Sequence, residues 1–329
     1  MAGAVIEAEG LVKKYGDLTA VAGIDLEVRP GEIFGFLGPN GAGKSTTISM
    51  LCTLLTPTAG VARVAGIDVM HDPAAVRQRI GLVFQDPSLD DQLTARENLE
   101  FHAFIYSVPA PDRRRRIDEM LAMMQLSDRA SSQVKTFSGG MKRRLEIARG
   151  MLHQPQILFL DEPTLGLDPQ TRKSIWTHLN ELRTKRGVTI FMTTHYMDEA
   201  EYCDRIAIID HGKIVALDTP DGLKAKVGGD VVTITSQDPD EAAREIQTLL
   251  GVTPARDNGA LRMEVKDGRA FVPRLVRELT APVDTVSLRR PSLDDVFLKL
   301  TGRAIREEEV SARDRNRAMA SRWMAGRRR

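Results

Sequence analysis

Residues 38 to 46 read GPNGAGKST, which fits the pattern G-x-x-x-x-G-K-[ST] between an apolar run and a helical pattern. Glycines at these spacings let successive backbone N–H groups point at phosphate oxygens, and the helix that follows adds its positive N-terminal end. Lys44 is placed to reach the β- and γ-phosphates of a nucleoside triphosphate, and Ser45 to bind Mg²⁺. A glycine-rich turn with a chance lysine is the alternative, which the position between a strand and a helix disfavours. The predicted phosphate-binding residues are Gly38, Pro39, Asn40, Gly41, Ala42, Gly43, Lys44, Ser45 and Thr46.

Two adjacent acids end a second apolar run. Residues 157 to 160 read ILFL, and Asp161 and Glu162 follow directly. Asp161 is expected to hold Mg²⁺ through water, and Glu162 to orient or deprotonate the water that attacks the γ-phosphate. Acidic residues also end many strands without having any catalytic role. Beside a phosphate-binding loop, however, the pair indicates the second half of a nucleotide-hydrolysing site.

The order of the surrounding elements predicts the fold that must position these residues. Apolar runs at 33–37, 80–84, 157–160, 189–192 and 205–209 are typical of buried strands, and helical patterns such as 44–55 and 171–186 lie between several of them. This alternation predicts an α/β P-loop NTPase core with a mainly parallel sheet. Residues from about 90 to 155 are almost wholly helical in pattern and predict an inserted helical subdomain. His211 and Gly212 predict a two-residue hairpin turn.

The chain divides into three predicted parts. Residues 1–226 form the nucleotide-binding domain, and residues 227–302 form a small C-terminal α+β accessory domain with short strand-like runs. Its last helix is expected to be capped by Ser292 and stopped by Gly302. Residues 303–329 contain nine arginines and four acids, which predicts a basic, flexible tail.

Charge balance and hydropathy narrow the expected function and location of the protein. The chain has 329 residues, with 46 Lys and Arg against 45 Asp and Glu, so no overall charge favours nucleic acid. Acidic residues near the N-terminus replace the apolar core of a secretory signal. No apolar run approaches the roughly 18 residues of a membrane span. We expect a cytosolic chain whose membrane spans, if it serves a membrane, come from a partner.

The stretch FSGGMKRR, residues 137 to 144, resembles the signature sequence of the ATP-binding-cassette (ABC) family, whose commonest form is LSGGQ. Phe137 and Met141 replace its first and last letters, while Ser138, Gly139 and Gly140 are intact. Ser138 can cap the helix that follows, whose N-terminal end suits a γ-phosphate. The resemblance selects ATP, with Mg²⁺, from the nucleotides that a phosphate-binding loop can hold.

Other landmarks of the ABC family follow in order along the chain. Gln85 resembles the Q-loop glutamine that senses Mg²⁺ and faces the membrane partner. Asp168, in LGLD, resembles the aspartate of the D-loop, which contacts the opposite subunit. His195 resembles the switch histidine that touches the γ-phosphate, and Tyr15 the aromatic residue that stacks on adenine. The resemblance thus implies catalytic roles for Glu162, His195, Gln85 and Lys44, metal contacts from Ser45, Gln85 and Asp161, and nucleotide contacts from Tyr15, Ser138, Gly139, Gly140 and Asp168 beside the phosphate-binding loop.

One phosphate-binding loop and one signature in a chain imply assembly, because in this family the signature of one subunit completes the ATP site of another. A dimer of two ATP-binding subunits is expected, as a homodimer, with Ser138 serving the ATP held by Lys44 of its partner. The ending PSLDDVFLKLTG, residues 291–302, resembles daunorubicin-resistance-type subunits. That resemblance implies a peripheral protein on the cytoplasmic side of the cell membrane, which energises a separate multispan permease for export of hydrophobic drugs, antibiotics or lipids.

Two alternatives stay open from the sequence. One is a soluble ABC ATPase that acts on nucleic acid or ribosomes, for which the arginines at 113–116 and the basic tail would supply phosphate contacts. We favour a solvated helix face for residues 113–116, since Asp118 and Glu119 follow them. The other alternative is a regulatory protein that binds ATP without useful turnover. The residues that argue against it are the intact Lys44, Asp161, Glu162 and His195.

Overall fold

The protein is described by a computed structural model over residues 3–226, 228–257 and 260–302. These residues form two compact units, which meet in sequence between Asp218 and Thr219. This division lies eight residues before the predicted boundary at 226/227, because helix α8 (Pro220–Ala225) packs on the last helix, α11 (Leu293–Thr301). The predicted tail at 303–329 lies outside the described residues.

A six-stranded sheet forms the centre of the first unit, in the order β10-β9-β3-β8-β7-β6. Five strands run parallel and β10 is antiparallel to β9. Phe34, Phe36 and Phe159 pack around Phe191 on one face of the sheet, with ring centroids 5.4 to 5.7 Å apart. Every residue of the three central strands is buried, so both faces of the sheet are covered there. The predicted α/β core with a mainly parallel sheet is confirmed. The strands are β3 (Ile33–Leu37), β6 (Ile80–Val83), β7 (Ile157–Asp161), β8 (Thr189–Thr194), β9 (Arg205–Asp210) and β10 (Lys213–Asp218).

A second, antiparallel sheet lies beside the phosphate-binding half of this unit. Its strands are β1 (Ile6–Tyr15), β2 (Leu18–Val28), β4 (Ala59–Val64) and β5 (Ile67–Asp68), in the order β2-β1-β4-β5. The helices of the core are α1 (Lys44–Leu51), α2 (Pro73–Arg79), α6 (Pro169–Arg186) and α7 (Met197–Ala200). The predicted hairpin turn at His211 and Gly212 joins β9 to β10, with both residues at positive φ as a type I′ turn requires.

Three helices lie between β6 and β7, within the range predicted as the helical insertion. They are α3 (Ala95–Ile105), α4 (Ala110–Met123) and α5 (Gly139–Met151), with short 3₁₀ turns at Ser127–Arg129 and Val134–Thr136. Thr94 and Glu97 form a capping box that starts α3. Buried Leu99, Ile117 and Leu145 hold the three helices together.

The second unit contains a four-stranded antiparallel sheet in the order β12-β13-β11-β14. Its elements follow as β11 (Asp230–Ser236), α9 (Pro239–Glu245), a π turn at Ile246–Leu250, β12 (Ala255–Asp257), β13 (Ala260–Val265), α10 (Gly268–Glu278) and β14 (Val283–Arg289). This is the βαββαβ arrangement of ferredoxin-like domains. Val232, Ile234, Leu261, Met263 and Leu275 fill a core of its own. No helix in the described parts of the chain combines the length and the apolar character that a bilayer crossing requires.

Candidate functional site

The loop between β3 and α1 has the curled backbone that its glycines predict. Gly43 is the N-cap of α1 and lies at φ 107°, where a Cβ atom would come within 2.6 Å of the Ala20 carbonyl oxygen. The Gly38 amide donates to the carbonyl of Thr194 at the end of β8, which joins the loop to the neighbouring strand. A side chain at position 43 would therefore be strained and crowded.

Lys44 is the first residue of α1 and turns back over the loop. Its side chain is 4% exposed, and Nζ donates to the carbonyls of Gly38 at 2.8 Å and Pro39 at 3.1 Å. The same nitrogen lies 3.2 Å from Oε1 of Glu162, and Oε2 of Glu162 lies 3.2 Å from Nδ1 of His195. Three predicted residues from three separate elements thus form one continuous buried row.

The charge state of Glu162 follows from its neighbours. Burial by itself raises the pKa of this carboxyl, but the hydrogen bond from His195 and the positive charge of Lys44 outweigh burial. The pKa of Glu162 is consequently lowered, and the group is an ionised acceptor at neutral pH.

Asp161 and Ser45 meet at the other side of the row. Ser45 Oγ lies 3.3 Å from Oδ1 of Asp161, and Thr193 Oγ1 donates to the same carboxylate oxygen at 2.5 Å. Hydroxyl and carboxylate oxygens are the ligand types that Mg²⁺ prefers. The residues present fit that ion at the position which the sequence predicts.

Glu162 itself has an unusual backbone. Its φ is 46°, in the left-handed region, which costs a non-glycine residue on the order of 1–3 kcal/mol. Thr193 Oγ1 accepts from its amide at 2.9 Å, and Nη2 of Arg143 donates to its carbonyl at 3.0 Å. These two contacts hold a strained conformation that turns the carboxylate toward Lys44 and His195.

The signature residues stand apart from this row. Ser138 caps α5 by accepting from the Met141 amide at 3.3 Å, and Ser138 and Gly139 are exposed. Gly140 is buried, and a Cβ atom there would lie 2.4 Å from Cγ2 of Thr171 on α6. Gly140 is therefore required by packing within the subunit, whatever else it contacts.

Asp168, Tyr15 and Gln85 occupy three further places. Asp168 caps α6, with its two oxygens accepting from the amide and the hydroxyl of Thr171 at 3.0 and 2.6 Å. Tyr15 ends β1 about half exposed, and Gln85 is exposed in the segment after β6. Within the described residues, no hydrogen bond or ring contact joins the side chains of Tyr15, Gln85 or Ser138 to the buried row.

Sequence reasoning missed four residues of the site. Thr193, Thr164, Glu199 and Arg143 are all buried or nearly so and hold the segments that carry predicted residues. Glu199 accepts from the hydroxyls of Thr164 and, at 2.8 Å, Thr194, and its burial raises the pKa of the Glu199 carboxyl. The only signal available was a polar residue two positions from a predicted one, and it fits Thr193, near His195, and Thr164, near Glu162.

Two family models match the chain. ABC transporter matches residues 21–165, and ATP-binding protein DrrA1-3-like, C-terminal domain, matches residues 219–301. The daunorubicin resistance ATP-binding protein DrrA3 of Streptomyces coeruleorubidus is 42% identical over 317 residues, which are 94% of this chain and 100% of that protein.

Solved structures agree with the family models. The chain resembles cbiO1 from Clostridium perfringens, part of the ABC transporter complex cbiONQ, with a TM-score of 0.64 and 28% identity over 76% of this chain and 97% of that one. It also resembles the cassette MJ0796, in a dimeric post-hydrolysis state bound to ADP and Pi, with a TM-score of 0.59 and 30% identity over 65% of this chain and 98% of that one. With its buried lysine–glutamate–histidine row and its two matched domains, this chain belongs to the ATP-binding, ATP-hydrolysing subunits of the ABC transporter family.

Proposed function

We propose that this chain binds ATP with Mg²⁺, hydrolyses it within a homodimer, and so drives a separate multispan permease. The chain itself lies on the cytoplasmic side of the membrane. The observation that carries the proposal is the buried contact row from Lys44 through Glu162 to His195. We assign export of a hydrophobic drug, antibiotic or lipid to the assembly, and the support is the similarity of this chain to a daunorubicin resistance ATP-binding protein.

The chemistry assigned to each residue follows from its contacts. Phosphate oxygens would compete with Glu162 for the ammonium of Lys44, which frees one carboxylate oxygen for water. Glu162 then accepts a proton as the water oxygen bonds to the γ-phosphorus and the bond to the β-γ bridging oxygen breaks. His195 steadies Glu162 and the γ-phosphate. Ser45 and Asp161, with Gln85, would hold Mg²⁺, which would supply positive charge for the phosphate oxygens.

The proposed homodimer rests on the exposure of Ser138 and on the lack of any contact between its side chain and the buried row within the described residues. Ser138 is exposed at the N-terminal end of α5, and within the described residues its side chain makes one hydrogen bond, which caps its own helix. A γ-phosphate bound at Lys44 of a second copy would meet the free end of that helix and its positive dipole. Tyr15, half exposed at the end of β1, would stack on the adenine of its own subunit's nucleotide.

An apolar surface on α3 is the proposed contact with the permease. Phe101, Phe104 and Ile105 lie at positions i, i+3 and i+4 and are 64%, 67% and 55% exposed, while Leu99 on the opposite face is buried. Phe84, at the end of β6 and beside Gln85, is also exposed. Apolar side chains grouped in this way are typical of a protein–protein contact.

Contacts of the arginine run support transport over a nucleic-acid role. Arg113 Nε donates to the carbonyl of Val108 at 2.7 Å, and Arg115 pairs with carboxylates one turn before and after it on α4. Arg116 donates to the carbonyl of Leu152. These guanidinium groups are held by the subdomain itself, as a solvated and locally paired helix face would be.

Glu162→Gln tests the proposal directly. The amide cannot accept the proton of water, so we expect turnover to fall by about 10²–10⁴-fold while ATP still binds, and an ATP-dependent dimer to accumulate on size-exclusion chromatography. Lys44→Ala is the control, because it should weaken ATP binding and give no dimer. Unaltered turnover in Glu162→Gln would remove Glu162 from the role of base.

A further inference from the structure

The side chain of Arg143 lies at a junction of three segments and uses all of its donors. It is 6% exposed. Nε donates to the carbonyl of Pro163 at 2.6 Å, Nη1 to the carbonyl of Phe84 at 2.6 Å, and Nη2 to the carbonyls of Glu162 at 3.0 Å and Gln85 at 3.4 Å. Because specific backbone carbonyls satisfy the donors of this buried guanidinium, Arg143 is an integral part of the packed structure and not a surface side chain.

Glu146, one turn later on α5, completes the junction. Its Oε2 lies 3.2 Å from Nη1 of Arg143, and its Oε1 accepts from the Ser88 amide at 2.8 Å. Glu146 is fully buried, and burial raises the pKa of its carboxyl. The pair therefore ties α5 to the segment from Phe84 to Ser88 at two points.

Each of the three segments carries a residue of the proposed mechanism. The first is the start of α5, capped by Ser138; the second is the segment after β6, with Gln85; the third is the end of β7, where Arg143 holds the strained carbonyl of Glu162. Arg143 belongs to α5, and its guanidinium donates to backbone carbonyls of the other two segments. A shift of α5 must therefore displace those segments or break several buried hydrogen bonds.

We propose that Arg143 is a positioning residue that makes Ser138, Gln85 and Glu162 of one subunit move together. When α5 of that subunit closes on the nucleotide of a second subunit, Glu162 of the first subunit is aligned. This inference rests on the proposed function. It assigns Arg143 no contact with nucleotide, only with the backbone that sets the direction of the Glu162 carboxylate.

The shape of the side chain predicts which substitution disables the junction. Arginine carries five N–H donors in a planar fork, whereas lysine carries three on one nitrogen. A lysine at 143 could keep the charge beside Glu146 but could not reach the carbonyls of Phe84 and Glu162 at once. Arg144→Lys is a matched control on the same helix, since Arg144 makes one backbone hydrogen bond, to the carbonyl of Met124 at 3.0 Å.

The experiment compares wild type, Arg143→Lys and Arg144→Lys in three measurements: the dissociation constant for ATP, kcat and KM for hydrolysis, and the ATP-dependent dimer in the Glu162→Gln background. For Arg143→Lys we expect ATP affinity within about twofold and kcat lower by about tenfold or more, since a shift of about 1 Å at a reacting group costs up to about 10²-fold. The trapped dimer should also dissociate faster. Arg144→Lys should match wild type.

A purely structural role would lower the unfolding midpoint of Arg143→Lys and leave kcat per folded molecule and the dimer unchanged, which would overturn the inference. If Arg143→Lys fails to fold, Glu146→Gln decides, because it removes the charge that orients Arg143 and keeps the side-chain volume. A kcat within twofold of wild type in Glu146→Gln would then overturn the inference. Wild-type protein without turnover would instead refute the proposed function.

Discussion

Gly140→Ala tests the packing of the signature helix. In the structure a Cβ atom at position 140 lies 2.4 Å from Cγ2 of Thr171, well inside ordinary van der Waals contact. Overpacking of this kind costs about 1–3 kcal/mol. Alanine also gains up to about 1 kcal/mol of helix propensity over glycine. We expect a net loss of about 1–2 kcal/mol in the free energy of unfolding.

Thr171→Ser is the matched second substitution because it removes only the clashing methyl group. The nearest remaining atoms would be Oγ1 at 3.5 Å and Cβ at 3.6 Å from the new methyl group, which are ordinary contacts. The hydroxyl that donates to Oδ2 of Asp168 at 2.6 Å is kept. Gly140→Ala with Thr171→Ser should therefore recover most of the loss, with a coupling energy of about 1 kcal/mol or more in a double-mutant cycle.

Urea unfolding of the four proteins measures the coupling, and ATP hydrolysis measured on the same samples shows whether activity returns with stability. If Gly140→Ala alone unfolds at the wild-type urea concentration, the close approach to Thr171 does not limit this position. If stability returns in the double variant and hydrolysis does not, Gly140 also acts on nucleotide directly. A coupling energy near zero would refute the packing argument.

Further predictions concern Glu199 and the accessory domain. Because burial raises the pKa of Glu199, its contribution to stability is present at low pH and is lost as the pH rises through that pKa. In urea unfolding from about pH 5 to about pH 8, the free energy of unfolding of wild type should fall relative to that of Glu199→Gln as the pH rises. A difference that stays constant with pH would contradict this. Leu275→Ala should lower the free energy of unfolding of its domain by about 2–5 kcal/mol and speed amide exchange in β11 and β13 but not in β3 or β7. Val276→Ala, at an exposed residue of the same helix, should have neither effect. Equal exchange in both variants would contradict a separate core.

The features that the sequence predicted lie on continuous stretches of chain. The phosphate-binding loop, the acids at the end of β7 and the cap of α5 each depend on neighbours a few residues away, so residue types and spacing suffice to predict them. The same holds for the buried strands, whose apolar runs have no polar face to place in water. The roles of the site residues stay predictions that the variants above can test.

Tertiary structure decided which of these stretches meet and what holds them. Lys44, Glu162 and His195 come from three separate parts of the chain, and only the order of strands in the sheet brings Lys44 and His195 each to 3.2 Å from Glu162. The domain division at Asp218 depends on α8 packing on a helix about 70 residues later. Arg143 is the clearest case. Four of its five acceptors are backbone carbonyls, which every residue carries, so no letter of the sequence could mark them as its partners.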